Sequence, residues 1–88
     1  MTIIYEFRLD KTNQWRLYMP LVIAPLDREL VIKKVLLDDK TKKHLESLGV
    51  VTGGKITIIS VHGGNVICIV KGVRLGLNSD VAKKILVA

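Results

Sequence analysis

The stretch Lys43-His44-Leu45-Glu46-Ser47-Leu48-Gly49-Val50-Val51-Thr52-Gly53-Gly54-Lys55-Ile56-Thr57-Ile58-Ile59 decides the fold. It reads as the end of a short helix, a glycine stop, a tight turn and a buried strand. Thr41, Leu45 and Leu48 stand at i, i+4 and i+7 and share one helical face, with His44 beside it. Gly49 falls where a helix closes on a left-handed residue, a conformation glycine adopts without a Cβ clash. Gly53-Gly54 supplies a second reversal, and the β-branched run Ile56-Thr57-Ile58-Ile59 favours a pleated strand. The two glycine hinges set how the helix lies on the strand. This is a packing device, not a chemical one.

On the N-terminal side, Asp38 or Asp39 caps the helix, which runs to Leu48. Leu30–Leu37 reads as the first barrel strand, apolar except for Lys33-Lys34. Pro20 and Pro25 make Leu21–Leu26 an extended segment with a turn at Ala24-Pro25-Leu26-Asp27. On the C-terminal side, Lys55–Val61 and Val66–Lys71 flank the turn His62-Gly63-Gly64-Asn65. Val73–Leu77 follows a tight turn at Gly72. Ser79 and Asp80 cap one helical turn through Ala82, and Ile85–Val87 closes the chain as a strand. Five short strands with one helix inserted after the first predict a mainly β fold, a small SH3-like β-barrel. Its core should hold Leu45, Leu48, Ile56, Ile58, Val66, Cys68, Val70 and Ile85.

Residues 1–18 read differently, as an N-terminal extension ahead of a barrel domain spanning 19–88. Ile3, Tyr5, Phe7 and Leu9 alternate with Thr2, Ile4, Glu6, Arg8 and Asp10, the period of a strand. Lys11-Thr12-Asn13-Gln14 is a polar turn, and Trp15, Leu17 and Met19 alternate again. An aromatic-faced hairpin is one reading. A frayed tail, or a start-site artefact with Met19 as the natural beginning, are the others.

Several of these residues carry a family resemblance. Leu45-x-x-Leu48-Gly49-Val50-x-x-Gly53-x-x-Ile56 resembles the signature of the FeoA family, small accessory proteins of bacterial ferrous iron uptake. Val70-Lys71-Gly72-Val73-Arg74-Leu75-Gly76-Leu77 and Ser79-Asp80-Val81-Ala82-Lys83-Lys84-Ile85-Leu86-Val87 resemble its later segments. Together they cover Met19 to Val87. Thr52 departs from the pattern, where many relatives carry proline. The resemblance implies the same SH3-like barrel.

Composition narrows the function. With 88 residues there is room for one domain, which buries roughly 60–65% of its unfolded surface. A hydrophobic content of 49% can fill a small core without staples. The single Cys68 suits a reducing compartment. No apolar run approaches the ~18 residues of a membrane span, and Glu6, Arg8 and Asp10 break up any signal-peptide pattern. A cytoplasmic domain is expected. The net charge of +6 invites a nucleic-acid reading, yet the cations are dispersed along the chain. All the aromatics (Tyr5, Phe7, Trp15, Tyr18) lie within the first 18 residues, so residues 19–88 offer no stacking platform.

No Ser/His/Asp, Cys/His or carboxylate pair recommends catalysis, and no Gly-x-x-x-x-Gly-Lys-(Ser/Thr) loop exists to cradle a phosphate. Enzymatic activity and a cofactor are not expected. His44, His62 and Cys68 are each isolated and lack the spacing of a closed metal site. Cys68, within Val66-Ile67-Cys68-Ile69-Val70, reads as a small buried hydrophobe. Val66–Val70 is apolar on both faces, so something must cover the outer one: the N-terminal hairpin, a second copy or a partner. Arg74 interrupts an apolar strand, either as a structural arginine bonding turn carbonyls or as a contact to an acidic partner.

The resemblance implies a non-enzymatic accessory protein of Fe(II) uptake that docks on a FeoB-type membrane transporter near its GTPase domain. Arg74, Lys71 and Lys43 are the candidate partner-binding residues, while Leu45, Leu48, Gly49, Gly53 and Gly72 carry the structural motif. A small basic barrel binding nucleic acid is an alternative, and it requires the lysines to gather on one face. A metal-responsive regulatory domain is another, since related domains end iron-dependent repressors; the chain shows no helix-turn-helix of its own. Self-association through the N-terminal extension or an exposed apolar strand is also open.

Overall fold

Strand β3 (Glu29–Val35) lies at the centre of the sheet, paired with one neighbour along each edge. In the computed structural model, which describes residues 6–9 and 11–88 with the backbone alone for Glu6 and Phe7, the other strands run as follows. They are β1 (Glu6–Leu9), β2 (Trp15–Pro20), β4 (Lys55–His62), β5 (Asn65–Val70), β6 (Val73–Leu77) and β7 (Ile85–Val87). Helix α1 (Asp39–Ser47) lies between β3 and β4, and α2 (Ser79–Ala82) between β6 and β7. The strands form one antiparallel sheet in the order β1-β2-β7-β3-β4-β5-β6. Glu29, Leu30 and Val31 face Thr57, Ile56 and Lys55 of β4, whereas Ile32, Lys34 and Val35 face β7. A bulge between Ile32 and Lys34 shifts the register of β3 against β7 and adds local twist to the sheet.

The expected element order is met from β3 onward, with α1 after the first of five strands. Two further strands extend the sheet, which does not close among the described residues. β1 pairs β2 with Leu9 opposite Trp15, and Met19 and Pro20 carry β2 onto β7. The part of the expected alternation that falls on residues 1–5 and Asp10 lies outside the described residues.

Alternation fills the core from β4 and β5. Ile56, Ile58, Val66, Cys68 and Val70 point inward and are buried, joined by Ile32, Ile85, Leu86 and Val87. Each fully buried aliphatic side chain of this kind contributes about 1.5–3 kcal/mol. The 3-10 turn Leu21–Ile23 replaces the expected extended segment, because burying Leu21 in the core pulls the chain into a turn after Pro20. Asn78, not Ser79 or Asp80, caps α2: the Val81 amide donates to its Oδ1 at 3.0 Å.

The end of α1 corrects one expectation. Leu48 is 39% exposed and Val50 is fully buried. The helix stops at Ser47, and Leu48 caps it in right-handed backbone (φ −92, ψ −3) with its side chain largely outside the core. Gly49 follows at φ +96. The Val50 amide then donates back to the Leu45 carbonyl (2.9 Å) and the Gly49 amide to that of Glu46 (3.0 Å). These two bonds define a Schellman motif, whose apolar clasp joins Leu45 to the residue after the glycine. Leu45 is buried as expected, and Val50 takes the place assigned to Leu48.

Candidate partner-binding face

The outward positions of β3–β6 line up by register. Glu29, Thr57, Ile69 and Arg74 form one cross-strand row, and Ser60, Ile67 and Gly76 form the next. Directly opposed residues of an antiparallel sheet share a face, so Arg74 projects outward beside Ile69 and Thr57. It is exposed, and among the described residues no hydrogen bond or ion pair engages it. The structural reading, with Arg74 tied to turn carbonyls, does not describe this side chain.

Lys71 stands next to this row, in the two-residue turn between β5 and β6. Its φ of +52 is unusual for a residue with a side chain, and Gly72 follows at +77. Both central residues are left-handed, as the tight hairpin requires. The Lys71 side chain lies over Gly49: a Cβ there would stand 3.2 Å from its Cδ. Lys71, Lys55, Thr57, Ile69 and the glycines 49, 53, 54 and 72 line a groove of ≈ 430 Å³. Glu29 is its one acidic side chain, 3.5 Å from Lys55 Nζ. Both partners of that pair are exposed, so it is worth at most about 1 kcal/mol.

A second groove of ≈ 460 Å³ meets the first at Gly53. Leu9, Lys11, Tyr18, Val31 and Lys33 line it, and Lys33 Nζ lies 6.0 Å from the centroid of the Tyr18 ring. That distance is the outer limit of a cation–π contact. Gly53 itself is held to β3, donating to the Ile32 carbonyl at 2.7 Å, while the Ile32 amide donates to Gly54 at 2.8 Å. The glycine hinge thereby positions the floor shared by the two grooves.

Of the residues singled out from sequence, Arg74 and Lys71 share this face. Lys43 is exposed on α1 and lines neither groove. Lys55, Lys33 and Lys11 were missed. The signal for Lys55 was its place two residues before Thr57 on an alternating strand, which puts both on the polar side. Ile67 and Ile69, the outer apolar face of β5, are half-buried between the neighbouring strands.

Elsewhere, Cys68 is fully buried, and burial pushes its thiol up to about 11. His44 and His62 are exposed on α1 and β4. Among the described residues no three His, Cys, Asp or Glu side chains gather to hold a metal. The Asp38 carboxyl is held below its ordinary value, chiefly by the Thr41 hydroxyl.

A profile of the FeoA domain matches residues 19–88. The chain belongs to the FeoA family. Membership ties it to ferrous iron transport. No curated protein sequence matches it. Its fold is similar to a crystal structure described as an iron uptake regulatory protein (FeoA), with a TM-score of 0.71 at 22% identity over 80% of this chain and 95% of that one. It is also similar to the FeoA protein of Chlorobium tepidum (TM-score 0.70, 20% identity, 78% of this chain and 68% of that one). A FeoA-like protein of Clostridium acetobutylicum gives 0.67 at 20% identity over 81% and 85% of the two chains. At these identities the FeoA likeness extends to the fold. The outward row of this FeoA-family chain, with Arg74 at its end, is read from its own residues.

Proposed function

We propose that this protein is a non-enzymatic, cytoplasmic accessory protein of Fe(II) uptake that docks on the GTPase domain of a FeoB-type transporter. The observation that carries the docking surface is Arg74: an exposed guanidinium without an internal partner among the described residues, beside Ile69 and the Lys71 groove. A guanidinium offers a planar fork that matches a carboxylate in two bonds. An adjoining apolar strand gives such a contact a desolvated centre. The lack of a paired acid and base or nucleophile in this face suits a binding role.

One observation favours a second reading. Lys11, Lys33, Lys55 and Lys71 line two grooves that meet, which is the gathering of lysines a nucleic-acid binder needs. The aromatic platforms such a binder uses are missing from β3–β7, and Glu29 sits among the lysines.

The two readings part in a titration of wild type and Arg74→Ala against the GTPase domain and against oligonucleotides, at two salt concentrations. Docking predicts binding to the GTPase domain, a loss of roughly ten-fold or more in Arg74→Ala, and shallow salt dependence. Lysine-driven nucleic-acid binding falls steeply with salt as counterion release weakens. Salt-resistant oligonucleotide binding with no GTPase-domain binding would overturn the accessory role. Binding that Arg74→Ala leaves untouched would move the docking surface elsewhere.

A further inference from the structure

β6 ends the sheet, and among the described residues no strand covers its outer edge. Edge strands are usually protected by proline, bulges, several charges or brevity. Val73-Arg74-Leu75-Gly76-Leu77 has no proline and a single charge, and its register with β5 runs unbroken over five pairs. Val73 at its start is 57% exposed.

The direction of its free backbone groups follows from the hairpin. Val70 and Val73 flank the two-residue turn and form its first pair. In such hairpins that pair exchanges both backbone hydrogen bonds, and every second pair repeats it. The amides and carbonyls of Val73, Leu75 and Leu77 therefore serve β5. Those of Arg74 and Gly76 face outward, unpaired.

We infer that β6 pairs antiparallel with β6 of a second copy, about a two-fold axis at Leu75. In this register Arg74 of one copy lies opposite Gly76 of the other, twice. Both residues present outward backbone groups, so each pairing closes two hydrogen bonds. Each Arg74 side chain lies against a glycine with no side chain to meet it. The competing register, with Arg74 opposite Arg74, sets like charges against each other and is disfavoured. The chosen register is self-complementary in hydrogen bonding and size and keeps the two Arg74 side chains from standing directly opposite each other, which suits an isologous interface. It also joins the outward faces of the two copies into one surface. The inference does not depend on the docking partner proposed above.

The test is sedimentation equilibrium of the full chain from micromolar to millimolar concentration. Wild type should dimerise. Gly76→Glu should tighten the dimer and Gly76→Lys loosen it, each by roughly two- to thirty-fold, because each variant meets Arg74 of the other copy at two places. Position 76 has room: a Cβ there meets Ile67 Cδ1 at 3.7 Å, an ordinary contact. Gly76→Pro should abolish the dimer while the monomer still melts cooperatively, since only an outward amide is lost. A monomeric wild type at millimolar concentration would overturn the inference. So would equal dimerisation of the Glu and Lys variants, which stands as the deciding comparison should the proline variant fail to fold.

Discussion

Gly49 lies against Val70: a Cβ on the glycine would stand 3.1 Å from Val70 Cγ1. The helix stop on α1 and the buried end of β5 are thus locked by one absent methyl group. Gly49 also holds φ +96, where side chains are rarely found.

Gly49→Val should therefore be among the most destabilising single changes, by about 3 kcal/mol or more, since strain and overpacking add. Gly63 has φ +59 but open space around its Cβ position, so Gly63→Ala should cost only about 1 kcal/mol. Its neighbour Gly64 differs, with Ser79 Cβ at 2.8 Å from an added Cβ. Urea melts of the three variants check the order, Gly49→Val and Gly64→Ala both well below Gly63→Ala. Equal losses at 49 and 63 would remove the contact with Val70 from the account.

Leu45 and Leu48 separate what a helical face suggests from what the core accepts. Leu45 is 4% exposed and Leu48 39%. Leu45→Ala should cost about 2–4 kcal/mol through the cavity it leaves, and Leu48→Ala under about 1 kcal/mol. Thermal melts suffice to compare them. A larger loss at Leu48 would mean that α1 ends later than Ser47.

Cys68 gives the folded state an alkaline limit. Its folded pKa of about 11 stands above the ordinary 9.0, so the unfolded chain releases the thiol proton first. The stability this provides is complete below pH 9, and it declines as pH rises toward 11. Cys68→Ala should show a shallower decline across that window than wild type, with the lysines common to both. Below pH 9, native protein should react with thiol reagents only as fast as it opens. Parallel pH profiles for the two proteins would count against a buried thiol.

Short-range chemistry made much of this protein legible in its sequence. The left-handed stop at Gly49, the turn at Gly63-Gly64 and the inward set Ile56, Ile58, Val66, Cys68 and Val70 follow from local sterics and the period of a strand. Each needs only its neighbours in the chain. Tertiary structure decided the rest. Val50 took the core place expected of Leu48 because the glycine reversal, not helical periodicity, aims the residue that follows it. β3 shifts register against β7 at a bulge between Ile32 and Lys34 that no local pattern marks. The face shared by Lys55, Lys71 and Arg74 exists only through cross-strand register, which brings together side chains far apart in the chain. A strand's sequence determines which side of the sheet a residue takes, while its neighbours across the sheet are set by which strands the core draws together.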